Sequence, residues 1–470
     1  MIFQDVQAIV LAAGKATRFK TNTSKLVEKL CGQEMILFIT KALEDLQIHT
    51  IIIVGHQKEA VMEVLKKHHS SNIDFVTQEK QEGTGHAVLC SKSTWHKDLI
   101  LIMNGDMPLV TETIIEQLYN KHKETNATIT LAIAHDTDPS GAYGRIVQNG
   151  NKLAIIEAKE FTADIEDHPF INAGIYLINR QFLESVIDLL ARNKISNEFY
   201  ITDLIKMASD KGEPISTLTV PFDRIRGINT FREFWAAEQI LRSEIINHLM
   251  IEGVRFQLPQ TNHIDLYVSV GAGTQIDAGV QLLGTTQIGN YCKIQSFSYL
   301  YNCQVESNVI IRPHSVLDTS HIKSNASIGP FAHIRNNTLI DEYVTLGNFV
   351  EVKQSTIGKR SKAKHLSYIG DTTIGEDVNI GAGTVTCNYD GINKHNTTIK
   401  DNAFIGSNNT LIAPVTIEKG AYTAAGSVIT ENVPAESLAI ARTKQINKEG
   451  YAKKLRSRIQ KAKNSENKIE

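Results

Sequence analysis

An aliphatic residue returns every sixth position through most of the second half of the chain, and few folds tolerate that period. The series opens as Ile276, Leu282, Ile288, Ile294 and Leu300. It slips by one residue to Val305, Ile311 and Leu317, then again to Ile322, Ile328, Ile334, Ile340, Leu346 and Val352. After Ile357, Ala363, Ile369, Ile374 and Ile380 it breaks, and it resumes as Ile399, Ile405, Leu411, Ile417, Thr423 and Ile429. A period of six is neither helical nor the plain alternation of a strand. It fits a coil of three short strands, each turning one aliphatic side chain inward. Gly289, Gly329, Gly347, Gly358, Gly375, Gly381 and Gly406 stand at or near the position after an inward residue. There the corners are expected to need the backbone freedom of glycine. Three hexads per turn start coils at 288, 305, 322, 340, 357 and 374. About nine such coils would stack at the ~4.8 Å spacing of strands. A β-sandwich of short, regular strands does not hold a six-residue period over this length.

The break carries information of its own. From Ile374 to Ile399 is 25 residues, where neighbouring coils take 17 or 18. The surplus predicts a loop around VTCNYDGINKHN (385–396) that leaves the prism, and solenoid insertions gather on one face, often the binding face.

Residues 1–230 read differently. VQAIVLAAG (6–14), HTIIIVGH (49–56) and DLILIMNGD (98–106) are apolar strands, separated by amphipathic helical stretches such as 34–46 and 57–68. That alternation predicts a doubly wound α/β domain with ligands at the carboxyl ends of its strands. Residues 231–252 predict a connecting helix, with Phe231, Phe234, Trp235, Ile240, Leu241, Ile245 and Leu249 on one stripe. The expected order is therefore an α/β domain at 1–230, a helix at 231–252, a β-helix at 253–441 and a basic, solvated and partly disordered tail at 442–470.

Lys+Arg 49 against Asp+Glu 51 leaves a net charge of -2, which gives no reason to expect nucleic acid or a membrane as partner. Five cysteines without CxxC spacing argue against a disulfide framework or a zinc site. Residues 1–20 show no basic region followed by an apolar one, and no apolar run approaches the roughly 20 residues of a membrane span. A cytoplasmic setting is expected.

Gly14 ends the first strand, with Lys15, Arg18 and Lys25 close behind. A glycine turn offers backbone N–H groups to an anion, and three cations can neutralise a triphosphate. Neither a Walker A loop nor a GxGxxG dinucleotide loop is present. QEGTGHA (81–87) supplies a second glycine-rich loop able to approach a base or sugar. Asp106 ends a hydrophobic strand, where a carboxylate could hold Mg²⁺ or simply serve a turn or helix cap. In the second half, His365 is off the repeat phase in KAKHLSYIGD, so its imidazole is free to act as a base. Tyr368 and Asn379 fall near the same face. Arg335 and Lys353 are one coil apart, stacked cations with no carboxylate at the same offset, which suits a phosphate.

LAAGKATR, Lys25, EGTGHA, NGD, YGRI (143–146), IIEAKE (155–160), INAGIY (171–176), EFYITD (198–203) and RGIN (226–229) follow the order of sugar-1-phosphate nucleotidyltransferases. With SKAKHLSYIGD and NIGAGTVTCNYDG behind them, residues 5–450 resemble the bacterial family of bifunctional N-acetylglucosamine-1-phosphate uridylyltransferase/glucosamine-1-phosphate N-acetyltransferases. The resemblance implies a left-handed parallel β-helix behind the α/β domain. It implies synthesis of UDP-N-acetylglucosamine, a precursor of peptidoglycan and lipid A, with Mg²⁺ as cofactor and acetyl-CoA and UTP as co-substrates. It gives Leu11, Ala12, Ala13, Gly14, Lys25, Gln78, Gly83 and Thr84 to UTP, and Asp106 and Asn229 to the metal. Gly144, Glu157, Asn172 and Asn229 would bind N-acetylglucosamine phosphate. Arg335, Lys353, Tyr368 and Asn379 would bind glucosamine phosphate, with His365 removing the proton. Ala382, Asn388, Tyr389, Ser407, Ala425 and Arg442 would take acetyl-CoA. It also implies a homotrimer whose 385–396 loop reaches an adjacent subunit. Ala16, Ser24 and Asn336-Asn337 depart from the family's usual Gly, Pro and Pro-Gly. A nucleotidyltransferase with a purely structural, oligomerising rod is the competing expectation. Such a rod would need neither His365 nor the inserted loop.

Overall fold

The computed structural model describes residues 3–14, 19, 23–69, 71–135, 143–150, 152–161 and 168–466. Lys15, Ala16 and Arg18 lie outside the described residues. The chain divides into two units, Met1–Ile251 with His263–Val268, and Glu252–Asn262 with Ser269–Glu470.

The first unit is built on seven strands: β1 (Val6–Ala12), β2 (His49–Val54), β3 (Ile73–Thr77), β4 (Leu99–Asn104), β5 (Ile129–His135), β6 (Phe170–Asn179) and β7 (Ile215–Thr219). Their order across the sheet is β7-β5-β6-β4-β1-β2-β3, with a hairpin (Arg145–Asn149, Lys152–Ile156) attached to β6. β1 pairs in parallel with both β2 and β4, whereas β6 runs antiparallel to β4 and β5. The central strands are continuous apolar runs because both faces are covered, and Ile9, Ile52 and Ile100 are fully buried. Gln7 is the polar exception in β1, and it is satisfied. Its amide donates to Thr94 O at 3.1 Å and accepts from His96 N–H at 3.2 Å. Helices α1 (Met35–Asp45), α2 (Lys58–His68), α3 (Thr84–Cys90), α4 (Glu112–Thr125), α5 (Arg180–Val186) and α6 (Asp203–Asp210) connect or flank the strands.

Helix α7 (Phe231–Ile251) belongs to this first unit, and Ala237 and Leu241 sit in its core. Its buried face follows the stripe expected from sequence only in part: Leu241 and Leu249 are buried and Phe234, Ile240 and Ile245 pack against the core. Phe231 and Trp235 are exposed, while Ala237 and Ile246 are buried with Leu241 and Leu249. Phe231 instead tilts against the ring of Phe19, with ring centroids 4.3 Å apart and planes 40° to one another.

The second unit is a parallel β-helix. One face is a nine-stranded ladder running from Ser269–Val270 to Val415–Ile417. Ile288, Val305, Ile322, Ile340, Ile357, Ile374, Ile399 and Ile417 follow one another in register along it. Every inward residue of the six-residue series is buried, none more than 5% exposed. Most coils therefore remove three branched aliphatic side chains from water, at about 1.5–3 kcal/mol apiece, with Ala363 and Thr423 as the smaller exceptions.

The corners correct the sequence reading. Left-handed backbone occurs at Phe297, Asn308, His314, Asn325, Phe331, Tyr343 and Phe349, among others, and these are not glycines. Of the seven glycines assigned to corners, only Gly329 has a positive φ. The others fit because the coils approach closely. A Cβ on Gly347 would lie 1.8 Å from Lys364 O, and one on Gly381 would lie 2.5 Å from the Gly406 carbonyl carbon. The tail differs too, since Tyr451–Glu466 forms helix α8, exposed wherever its side chains are described.

Candidate functional site

In the first unit, the chain runs outward from β1 to β2 and β3, then returns across β1 to β4. A crevice opens where the strand order reverses. There a cleft of about 520 Å³ is lined by Leu11, Ala12, Ala13 and Gly14 from the end of β1. Lys25, Gln78, Gly83, Thr84, Asp106 and Asn229 line the same cleft. Gln81, Asn104 and Glu198 also line it; they fall inside the QEGTGHA, NGD and EFYITD motifs, but sequence reasoning gave them no role. Asn104 closes β4 two residues before Asp106, so its position beside a strand-end carboxylate was the available signal.

Lys25 organises the floor of the cleft. It opens a short 3-10 turn (Lys25–Val27) whose cap, Ser24, accepts from Leu26 N–H. Its ammonium is 2.5 Å from Asp106 Oδ2, 2.8 Å from Asn229 Oδ1 and 2.6 Å from Ile228 O. Asp106 is therefore neither a helix cap nor a bare turn residue. Its carboxylate and the Asn229 carboxamide oxygen converge on one cation, an all-oxygen donor set of the kind a hard divalent metal takes. Among the described residues no group of three or more His, Cys, Asp or Glu is placed to hold a metal ion.

The second glycine loop is stitched to a distant segment. Gly83 has φ 111, and a Cβ there would meet Phe199 O at 2.4 Å. Phe199 N–H donates to Glu82 O, Gly85 N–H to Phe199 O and Ile201 N–H to Thr84 Oγ1, at 2.8, 2.8 and 3.1 Å. EGTGHA and EFYITD thus act as one wall.

Gly144, Glu157 and Asn172 meet one another beside these elements. Asn172 N–H donates to Gly144 O at 2.8 Å, and a Cβ on Gly144 would lie 3.6 Å from Glu157 Oε2. Glu157 accepts from Thr202 Oγ1 at 2.7 Å, and its burial pushes its carboxyl above the usual range. A Cβ on Gly174, two residues past Asn172, would lie 2.6 Å from Asn104 Nδ2, so this group adjoins the cleft.

In the second unit, His365 lies in the strand Lys362–Gly370, in register with Asn348 of the preceding coil. His365 Nδ1 is 3.0 Å from Asn348 Oδ1. The amide oxygen only accepts, so Nδ1 carries the hydrogen, and in the neutral imidazole the lone pair is then on Nε2. Asn348 was not singled out from sequence. It sits 17 residues before His365, one coil, and that spacing was the available signal.

His365, Ala382, Ser407 and Ala425 recur one per coil along a single corner. Gly383 N–H donates to Leu366 O, Asn408 N–H to Ala382 O and Gly426 N–H to Ser407 O, at 2.9, 2.7 and 2.8 Å. Asn379 pairs in register with Lys362 below and Phe404 above, and no hydrogen bond to its side chain is found among the described residues. Arg442 is exposed beyond Ala441, which donates to Ser427 Oγ.

Arg335 and Lys353 are register partners, as their spacing implies. The absence of carboxylates does not hold. Arg335 donates twice to Glu351 Oε1, at 3.1 and 2.7 Å, and the buried Lys353 lies 3.5 Å from Asp371. Asp371 also accepts from Asn388, whose amide lies 3.5 Å from Tyr368 OH. The carboxylates offset the cost of crowding cations, because the inserted loop adds a further ammonium. Contact with Lys353 holds Lys394 below the ordinary lysine range. The loop itself is ordered by Asp390, which accepts from Ile392 N–H, Asn393 N–H and His395 Nε2, while Tyr389 stays exposed. All five cysteines are free. No helix among the described residues is long and apolar enough to cross a membrane.

Three family models match the chain: a MobA-like NTP transferase domain over residues 8–195, a GMPPB C-terminal domain over 264–357, and the bacterial transferase hexapeptide (six repeats) over 396–431. The bifunctional protein GlmU of Caldicellulosiruptor saccharolyticus is 42% identical over 452 residues, 94% of this chain and 96% of that protein. Those of Geotalea uraniireducens and Streptococcus thermophilus are each 39% identical, covering 95% of this chain and 98% and 97% of theirs.

Proposed function

Because the chain belongs to the family of the bifunctional protein GlmU, we propose that each of its units carries one of two successive transfers. The chain is a bifunctional transferase of UDP-N-acetylglucosamine synthesis, a cell-wall precursor. It acetylates glucosamine-1-phosphate from acetyl-CoA and joins N-acetylglucosamine-1-phosphate to the uridylyl group of UTP.

One observation supports the uridylyl site above the others. Ten residues from five separate segments line one cleft, with a cation already held between Asp106 and Asn229. The β1 turn, Lys25, Gln78, Gly83 and Thr84 take UTP. Asn229, Gly144, Glu157 and Asn172 take the sugar phosphate. A phosphate oxygen of the sugar attacks the α-phosphorus, and the bond to pyrophosphate breaks. No protein nucleophile is needed, only alignment and charge neutralisation. Mg²⁺, held by Asp106 and Asn229, would supply part of that neutralisation.

In the β-helix, Arg335, Lys353 and Lys394 take the phosphate of glucosamine-1-phosphate, with Tyr368 and Asn379 on the sugar. Ala382, Asn388, Tyr389, Ser407, Ala425 and Arg442 take acetyl-CoA. The free Nε2 of His365 accepts the proton as the amine nitrogen attacks the thioester carbonyl, and the thiolate of CoA leaves. Beyond these contacts within its own chain, the loop at 385–396 reaches an adjacent subunit of a homotrimer. Light scattering at micromolar concentration is expected to give a trimer, and a monomer would contradict the shared site.

Each transfer is assayed alone, one with acetyl-CoA and glucosamine-1-phosphate, the other with UTP, Mg²⁺ and N-acetylglucosamine-1-phosphate. Asp106→Ala is expected to abolish the second and spare the first, and His365→Ala the reverse. Loss of both from either substitution would overturn the two-site reading.

A further inference from the structure

The Gln78 side chain is locked by two acceptors, and only one of them belongs to the lining of the cleft. Its amide nitrogen is 3.1 Å from Gly83 O and 3.0 Å from His86 Nδ1. A backbone carbonyl only accepts, so the nitrogen, not the oxygen, must face Gly83. The second N–H then points at His86 Nδ1, which must be unprotonated to accept it. Both donors of the amide are thereby spent inside the protein. Its carbonyl oxygen makes no hydrogen bond among the described residues, although Gln78 is only 3% exposed and lines the cleft.

His86 is itself held in place. It lies on α3, its ring stacks on Phe199 at 6.2 Å between centroids, and its Nε2 is 3.7 Å from Cys90 Sγ and 3.9 Å from Glu82 Oε2. Phe199 is the residue whose backbone is stitched to the glycine loop, so the imidazole cannot drift without moving that wall.

Resting on the uridylyl reading above, we infer that His86 is a positioning residue for nucleobase choice. By accepting the second N–H of Gln78, it joins the Gly83 carbonyl in holding the amide so that a carbonyl, not an N–H, faces the base. A carbonyl there accepts from the N3–H of uracil. It repels cytosine, whose N3 is itself an acceptor. A site that pairs with a donor rejects the analogue lacking it far more strongly than a site relying on shape. His86 need not touch the nucleotide to do this.

The test compares kcat/KM for UTP and CTP, with N-acetylglucosamine-1-phosphate and Mg²⁺, in the full-length protein. His86→Ala is expected to lower the UTP-over-CTP ratio about tenfold, the worth of one oriented hydrogen bond, through KM for UTP with kcat nearly kept. His86→Phe keeps the ring stacked on Phe199 without an acceptor and is expected to behave like His86→Ala. His86→Asn restores an acceptor and is expected to recover most of the ratio. An unchanged ratio in His86→Ala overturns the inference. So does a ratio lost equally in all three variants, which would make His86 a packing residue only. If the unsubstituted protein does not use UTP at all, the uridylyl reading fails instead, and the two failures are told apart by that control.

Discussion

His365 Nδ1 and Asn348 Oδ1 lie 3.0 Å apart across adjacent coils of the β-helix. The contact sets the tautomer of the imidazole and leaves Nε2 as the basic atom. A general base without its orienting partner loses part of its population to the wrong tautomer. Asn348→Ala is therefore expected to lower kcat for acetyl transfer about tenfold or more while leaving uridylyl transfer intact. Equal acetyl transfer in the variant would show that the contact orients nothing.

Gly347 and Asn325 separate two kinds of position in the solenoid. A methyl group on Gly347 meets Lys364 O at 1.8 Å, so Gly347→Ala is expected to cost about 2–3 kcal/mol in denaturant unfolding. Asn325 has φ 65, and Asn325→Ala is expected to cost only about 1 kcal/mol, the penalty of a left-handed residue with a Cβ. Equal losses would contradict the assignment of Gly347 to close approach.

That contrast marks what the sequence could convey. The period of six named every inward residue correctly, because burial follows a one-dimensional pattern. It did not convey why glycines recur beside those positions, because the distance between coils is not written in the spacing. The same holds at the sites. The stacking of Arg335 on Lys353 follows from a step of one coil. Glu351 and Asp371 reach them only through side-chain direction, which no period reports. Gln78 was found by resemblance, whereas His86, eight residues on, became visible only once the loop had been folded back.

His122, on α4, is buried with its Nδ1 2.9 Å from Thr130 Oγ1, and burial pushes it down to about 4. As pH falls below about 6.5 the unfolded chain binds a proton here that the folded chain refuses until about pH 4. The group's contribution is complete above the upper value and is lost on the way down, roughly 3 kcal/mol at most. His122→Asn is expected to flatten this part of the pH–stability curve of the first unit. An unchanged slope would contradict the buried neutral imidazole.

Glu157 works in the opposite sense. Its carboxyl is raised chiefly by burial, so above the ordinary carboxylate range the unfolded chain has lost a proton that the folded chain still holds. Stability is then present at low pH and lost as pH rises through the raised value. Glu157→Gln is expected to unfold at higher temperature than the parent at pH 8, with the difference vanishing in acid, and to raise KM for the sugar phosphate. A variant no more stable at pH 8 would contradict the strained carboxylate.

Two independent sites that act in series can be separated by mixing two single-site variants. Each variant, Asp106→Ala or His365→Ala, is supplied alone with glucosamine-1-phosphate, acetyl-CoA, UTP and Mg²⁺, and then both are supplied together. Neither alone is expected to form UDP-N-acetylglucosamine, and the mixture is expected to form it through the released N-acetylglucosamine-1-phosphate. A mixture that stays inactive, or one variant that completes both steps unaided, would rule out two separate sites in series.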